Sequence, residues 1–369
     1  MGESLLDVRN LHVHFETYER TAEVINGIDL EIGEGETVGL VGETGCGKSV
    51  TSRAILGLLS PNARIPEGEI YYKGQDLLDL SDQQRHAKRG NEITMIMQDP
   101  MTSLNPVFTV GEQMMDVLKW QGKSRLSLTE LIRDKFRSER KQEYKERILD
   151  ILEEVQLPEP ERVYNSYPSE LSGGMRQRIL IAFALLAEPD LLIADEPGTA
   201  LDVTTEEKIL GLLDTLTTER NTSVLYITHD LGVARNTTEW TNVMYAGEIT
   251  ETARTETLFE SPQHPYTRGL LESVPQLSKP IGEGIEGGVP DYTNPPEGCR
   301  FGDRCPHAEP ACFETYPYSR RTDANHTVAC HLYDGEPAHE RHAALAREDI
   351  DIGAPPWQGN HDETSEIIE

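Results

Sequence analysis

Residues 38–50 read VGLVGETGCGKSV. Gly42, Glu43, Thr44, Gly45, Cys46, Gly47, Lys48 and Ser49 form a G-x-x-x-x-G-K-S loop. This segment restricts the fold more than any other, because such a loop works only between a buried strand and the first turn of a helix. Gly42, Gly45 and Gly47 let the backbone come close to a ligand where a Cβ would block it. The loop amides then make a nest for a β-phosphate at a helix N-terminus. Lys48 can reach the β- and γ-phosphates, and the Ser49 hydroxyl can ligate Mg2+. Cys46 occupies a variable position and reads as a small space-filler, not a nucleophile.

Other apolar runs supply the rest of a sheet. ETVGLVG (36–42), EITMIMQ (92–98), LLIAD (191–195) and SVLYIT (223–228) read as buried strands. Continuous runs, rather than alternating ones, indicate parallel strands covered on both faces. LLIADEPGTALD delivers Asp195 to the C-terminal end of its strand, where open α/β sheets bind ligands. There Asp195 can hold Mg2+ through water, and Glu196 can polarise an attacking water as general base. Residues 108–155 are long, charged and helix-periodic, which predicts a helical insertion over about 100–185. After residue 260, Pro and Gly rise, and the chain reads as a linker and a small loop-rich module. Residues 335–369 are acidic and weakly patterned, so a mobile tail is expected.

The chain has 369 residues, enough for two or three domains. Its 64 acidic and 34 basic residues leave a net charge of −30. A nucleic-acid partner is therefore not expected, since such proteins show a basic stripe. The basic set is 10 Lys and 24 Arg, an imbalance that resembles the proteomes of extreme halophiles and points to a haloarchaeal source. In molar salt the Debye length falls to about 3 Å, so a dense acidic surface repels itself little. An acidic tail explains only part: residues 331–369 carry 10 acids and 2 Arg, or −8 of the −30. No run approaches the roughly 18–20 apolar residues that span a bilayer. The N-terminus has no apolar signal core, so a cytoplasmic location is expected, with any membrane role acting through a partner.

ELSGGMRQRILIAFALL (170–186) is the most discriminating stretch. Ser172, Gly173 and Gly174 open a helix, and bare helix N-termini favour anions. Set just upstream of DLLIADEP, this L-S-G-G-x-x-Q-R run resembles the signature of the ATP-binding cassette (ABC) ATPases. That resemblance implies an α/β P-loop ABC ATPase domain over 1–260: a mixed sheet with a RecA-like core, plus a helical subdomain. It also implies ATP as ligand and hydrolysis by Glu196 and His229, the latter matching the switch histidine in YITHDLG. Gln98 in MIMQDP matches the Q-loop, which joins Ser49 and Asp195 around Mg2+. Asp202 matches the D-loop that crosses a dimer interface. Phe15 stands where family members stack an aromatic on adenine; Tyr18 is the other candidate, and a packed strand-end aromatic the plainer reading of Phe15. Two such domains meet head to tail, each ATP lying between one Gly42–Ser49 loop and the partner's Ser172–Gly174 equivalent. The chain departs from the generic pattern at Met175, where Gln is usual, and at Gly198, where Thr is usual. Neither removes a catalytic group.

MIMQDPMTSLNPVFTVGEQM, ELSGGMRQR, VMYAGEITE and SPQHPYTRGLLESVP together closely resemble ATPase subunits of dipeptide and oligopeptide importers. This implies two transmembrane permease partners, a second ATPase or a homodimer, an extracellular solute-binding protein, and a place on the cytoplasmic face of the membrane. It also implies a C-terminal extension over 261–334, in which His264-Pro265-Tyr266 reads as a docking turn without chemistry. Cys299, Cys305, Cys312 and Cys330 are spaced C-x5-C-x6-C-x17-C. In an intracellular chain such a cluster points to metal rather than disulfides. The spacing alone suits either a [4Fe–4S] cluster or a distorted zinc site; the family resemblance favours [4Fe–4S], with a structural role. His307, His326 and His331 are alternative ligands or ordinary loop histidines. Other cargoes, such as nickel or sugars, stay open, because the ATPase does not touch the cargo. A soluble ABC ATPase of DNA repair or translation is disfavoured by the single phosphate loop, the short insertion and the acidity.

Overall fold

The computed structural model describes residues 4–18, 20–97, 103–120, 138–199, 201–273, 285–333 and 336–337. Gln98 and, beyond residue 337, the acidic tail lie outside the described residues.

A nine-stranded sheet forms the centre. Five of its strands run parallel, in the spatial order Trp240–Tyr245, Thr37–Val41, Ser223–Thr228, Leu191–Asp195, Ile93–Ile96. The four runs read as buried strands all lie here. Their continuous apolar character has a direct cause. Leu225, Ile227, Leu191 and Ile193 enter one core, while Val224, Tyr226, Leu192 and Ala194 enter another on the opposite face. With period-2 geometry, a strand covered on both faces must be apolar at every position.

On one face lies a five-stranded antiparallel sheet built around Leu6–Glu16 and Thr21–Ile32, paired from Leu6↔Ile32 to Glu16↔Thr21. Its inward residues, among them Leu6, Leu11, Val13, Ile25 and Ile28, pack on Val38, Leu40 and Ile227. On the other face are the helices Val110–Trp120, Ser138–Glu154, Pro160–Asn165 and Gly173–Leu185. They share a core of Val110, Met114, Ile148, Leu152, Val163 and Leu185 with the underside of the sheet. The helix Gly173–Leu185 is apolar over most of its length because it is sandwiched between that insertion and the sheet; seven of its residues are buried.

The C-terminal extension, expected as a small loop-rich module, adds two short strands to the central sheet, and the first residues of the tail add a third. His326–Val328 pairs antiparallel with Glu248–Arg254 through Glu251↔Val328, Thr252↔Thr327 and Ala253↔His326. Arg320–Asp323 and Glu336–Pro337 follow outward. The extension also shares a third core with the parallel strands, where Tyr266 and Phe301 meet Val41, Val243 and Tyr245. Phe301 stacks edge-on against Tyr245 at 5.2 Å and lies 5.4 Å from Tyr266. Buried aromatics of this size dominate a local core, so the extension is built into the molecule rather than tethered to it.

Candidate functional site

Three neighbouring parallel strands end on one edge. The pairings Val41↔Thr228 and Asp195↔Ile227 bring the Gly42–Ser49 loop, the Asp195-Glu196 pair and His229 to that edge together. Gly47 has φ 114 and caps the helix Lys48–Ile55, and a Cβ there would sit 2.6 Å from Ile25 Cδ1. A Cβ on Gly42 would lie 2.1 Å from the Met244 carbonyl oxygen, so only glycine lets the loop pass the neighbouring strand. The position of Gly45 opens onto free space, and Thr44 and Gly45 are exposed, forming the rim of the cradle.

Lys48 is buried, and its Nζ donates to the carbonyl oxygens of Gly42 at 2.6 Å and Glu43 at 3.0 Å. The ammonium is thus folded into the loop, with its charge available at the phosphate nest. Cys46 is fully buried, and burial pushes its thiol up. Its carbonyl accepts from Gly247 N–H at 2.7 Å. It fills space, as expected from its position in the motif.

Asp195 is 6% exposed, and burial raises its carboxyl, opposed by a hydrogen bond from Ser49 and by the charge of Lys48. A buried carboxylate and a hydroxyl already hydrogen-bonded to each other are a fitting donor pair for Mg2+, which relieves the cost of a buried anion. Glu196 follows at φ 48, with its N–H donating to the Ile227 carbonyl at 2.8 Å. A left-handed Glu costs about 1 kcal/mol and persists where the surroundings fix it. Thr199 Oγ1 donates to Glu196 Oε2 at 3.0 Å, and His229 Nδ1 lies 2.9 Å from Oε1. Both carboxylate oxygens are therefore aimed. An adjoining cavity of about 230 Å3 is lined by Glu196, Thr199, Glu206, His229 and Asp230.

Glu206 was missed by sequence reasoning, and it explains Gly198. A Cβ at 198 would fall 2.2 Å from Glu206 Oε1, so a larger residue here requires the Glu206 side chain to move. Burial raises the Glu206 carboxyl, and Asp230 raises it further. The departure at 198 and the presence of Glu206 are one local packing solution.

The remaining predicted residues are dispersed. Ser172 caps its helix by accepting from Met175 N–H at 3.3 Å, and Gly173 and Gly174 lie beside Leu201 and Thr205. Asp202 caps the helix Val203–Glu219; its bonds from the Thr205 hydroxyl and N–H hold its carboxyl below the usual range. Phe15 is partly buried against the antiparallel sheet's core, whereas Tyr18 is fully exposed.

The cysteines give a divided result. All are free thiols. Burial pushes Cys299 and Cys330 up to about 12, and the Cys299 N–H donates to the Cys312 carbonyl at 2.7 Å. Their donor chemistry suits metal. Yet among the described residues no group of three or more His, Cys, Asp or Glu side chains is arranged to hold a metal ion. The expected metal-cluster module is thus not borne by a preformed ligand shell. His326 is engaged elsewhere, 2.7 Å from the buried Glu251, and His331 Nε2 lies 2.9 Å from the Thr315 carbonyl.

Comparison with known proteins places these features. Residues 25–199 match the ABC transporter family, and residues 250–312 match the family "Oligopeptide/dipeptide transporter, C-terminal region". The dipeptide transport ATP-binding protein DppD of Bacillus subtilis is 44% identical over 91% of this chain and 97% of its own length. The oligopeptide transport ATP-binding protein AppD of the same organism is 42% identical over 91% of this chain and 99% of its own. Among solved structures, the ATP-binding cassette MJ0796, dimeric in a post-hydrolysis state with ADP and Pi, superposes with a TM-score of 0.57. It is 30% identical, covering 68% of this chain and 98% of that one. With a phosphate loop, a paired Asp-Glu, a positioned histidine and both family segments in one chain, the protein belongs to the ATP-binding subunits of the dipeptide/oligopeptide ABC transporter family.

Proposed function

We propose that this chain hydrolyses ATP to energise an importer of dipeptides or oligopeptides, acting under two permeases on the cytoplasmic face of the membrane. One observation carries the reading: an aimed Glu196 beside a complete phosphate loop, in a chain whose extension matches the oligopeptide/dipeptide transporter region. No helix among the described residues is long and apolar enough to cross a membrane.

The residues divide the chemistry. The loop amides of Gly42–Ser49 and the Lys48 ammonium bind the phosphate chain. Ser49 and Asp195, with Gln98 in the family pattern, would hold Mg2+, which neutralises phosphate charge when bound. Glu196 takes the proton from the attacking water, its oxygens oriented by Thr199 and His229. Ser172, Gly173 and Gly174 face the ATP of a partner ATPase, with Asp202 near the shared boundary; the dimeric state of the 30% identical MJ0796 supports this arrangement. Phe15 remains the proposed adenine contact. The domain plan keeps 1–260 as the ATPase, with its helical subdomain at about 100–185, 261–334 as the extension, and 335–369 as the tail.

Two finer readings accompany this proposal. A [4Fe–4S] or zinc group at Cys299, Cys305, Cys312 and Cys330 is supported by four free thiols, two buried and two half-buried. Metal content and visible absorbance of anaerobically purified protein decide it: four irons with visible bands support the cluster, one zinc without bands supports the other, and neither metal removes both. Adaptation to a salty cytoplasm is supported by the charge of −30 and the Arg-rich basic set. The expected outcome is a melting temperature that climbs as KCl goes from about 0.1 M to molar levels, where the Debye length shrinks to about 3 Å; a flat profile removes that reading.

The function is tested by purifying the chain with its membrane partners. Two permeases and one further ATPase, with ATP hydrolysis stimulated by peptide-loaded binding protein, are expected. Stimulation by nickel- or sugar-loaded binding protein alone would replace the peptide cargo.

A further inference from the structure

The extension does more than dock, because its side chains reach the phosphate loop itself. Arg304 Nη1 and Nη2 donate to the two carboxylate oxygens of Glu43 at 3.0 and 3.1 Å, a paired fork geometry. Arg304 is fixed from behind: it donates to the carbonyls of Ile285 and Glu286 at 3.0 and 2.8 Å and lies over the Tyr245 ring at 5.5 Å. Its side chain is 7% exposed, so little entropy is left to lose when it grips Glu43. The Tyr266 hydroxyl accepts from Glu43 N–H at 3.0 Å. The Tyr292 hydroxyl donates to the Gly45 carbonyl at 2.7 Å. Three side chains of the extension thus bind Glu43 and Gly45, two loop residues to which no reacting group is assigned.

The placement matters because a phosphate nest works by preorganisation. Amides that already point inward lose no freedom when the anion arrives. Glu43 and Gly45 flank the Thr44 tip, and Lys48 holds the inner side through Gly42 and Glu43. Gly45 has φ 87 and open space around its Cβ position, so no side-chain packing bears on it there. The outer grip comes from residues more than 200 positions away in the chain.

We propose that Arg304, Tyr266 and Tyr292 are positioning residues for the phosphate loop, and that the extension thereby sets the affinity of this subunit for ATP. The proposal rests on the ATPase reading above. Its consequence is directional: the grip acts on binding, since none of the three touches Glu196 or His229 in the contacts described. Loss of the fork loosens the cradle and weakens ATP, while the chemical step keeps its carboxylate and histidine.

The test uses the assembled transporter, with ATP KM, kcat and melting temperature measured together. Arg304→Met keeps most of the stem and removes the fork. It is expected to raise the KM for ATP about tenfold, the size of one charge-assisted hydrogen-bond pair, with kcat within about twofold. Tyr292→Phe is expected to raise KM by about threefold, as for one neutral hydrogen bond. Arg304→Lys, which keeps the charge but not the fork, is expected to give a KM between those of the native chain and Arg304→Met, which simple loss of packing would not produce. Unchanged KM in Arg304→Met overturns the proposal. So does a matched fall in kcat and melting temperature with no intermediate KM in Arg304→Lys, which would make the contact structural only. Failure of the ATPase reading shows differently, as absence of hydrolysis by the unmodified transporter.

Discussion

The phosphate loop and the extension that grips it are assembled by opposite means. In the loop, Lys48 satisfies carbonyls five and six residues back, and glycines clear the way for a neighbouring strand. In the extension, Tyr266, Tyr292 and Arg304 act across 223 to 261 residues of sequence. The first is a local pattern in which spacing alone defines the chemistry. The second exists only after the central sheet has gathered Glu248–Arg254 and His326–Val328 beside Trp240–Tyr245. Loop residues bear the chemistry, and extension residues hold the loop.

That contrast can be broken most forcefully on the loop side. Lys48→Ala removes the one ammonium aimed into the nest, and equilibrium binding should show ATP affinity lower by about a hundredfold, since charge-assisted contacts to phosphate are lost. Retained affinity would mean that backbone amides suffice. On the extension side the largest effect should be on stability. Phe301 is 2% exposed and joins Tyr245, Tyr266 and His264 in one cluster. Phe301→Ala should destabilise the fold by about 3–5 kcal/mol in denaturant unfolding, as for other large core truncations. A loss under about 1 kcal/mol would show the extension to be a separate body, against the shared core.

A smaller, pH-dependent effect sharpens the comparison. His264 is held at about 4 by burial, below its ordinary 6.5, with Glu251 opposing the shift. Between those values the unfolded chain takes up a proton that the folded one refuses. Stability should therefore fall as pH drops from 6.5 toward 4, by on the order of 1 kcal/mol per pH unit. His264→Gln, which keeps an acceptor for Tyr266 N–H, should flatten that slope in urea midpoints measured across the range. An unchanged slope would assign the acid sensitivity to other groups.

The parallel core was readable because its cause is written at every position: Leu191–Asp195 and Ser223–Thr228 must be apolar on both faces. The phosphate loop and the Asp195-Glu196 pair were readable because each is a short local motif at a strand end, and His229 through its resemblance to the family pattern. The strands Arg320–Asp323 and His326–Val328 were not, being three or four residues long and polar, with His326 buried against Glu251 and Gln263. Gly198 looked like a loss of Thr until Glu206 was seen to fill its space. His264-Pro265-Tyr266 carried no chemical signal, because the Tyr266 hydroxyl matters only through an amide that the sheet brings to it.

The central claim is that Glu196 drives peptide uptake by activating water at an ATP held in this loop. Uptake of radiolabelled dipeptide into vesicles bearing the assembled transporter, with Glu196→Gln in this subunit, tests it most directly. The account predicts that ATP is still bound while ATP-dependent uptake falls by about 10²–10⁴-fold, the range for loss of a general base. Undiminished uptake in that variant would contradict it.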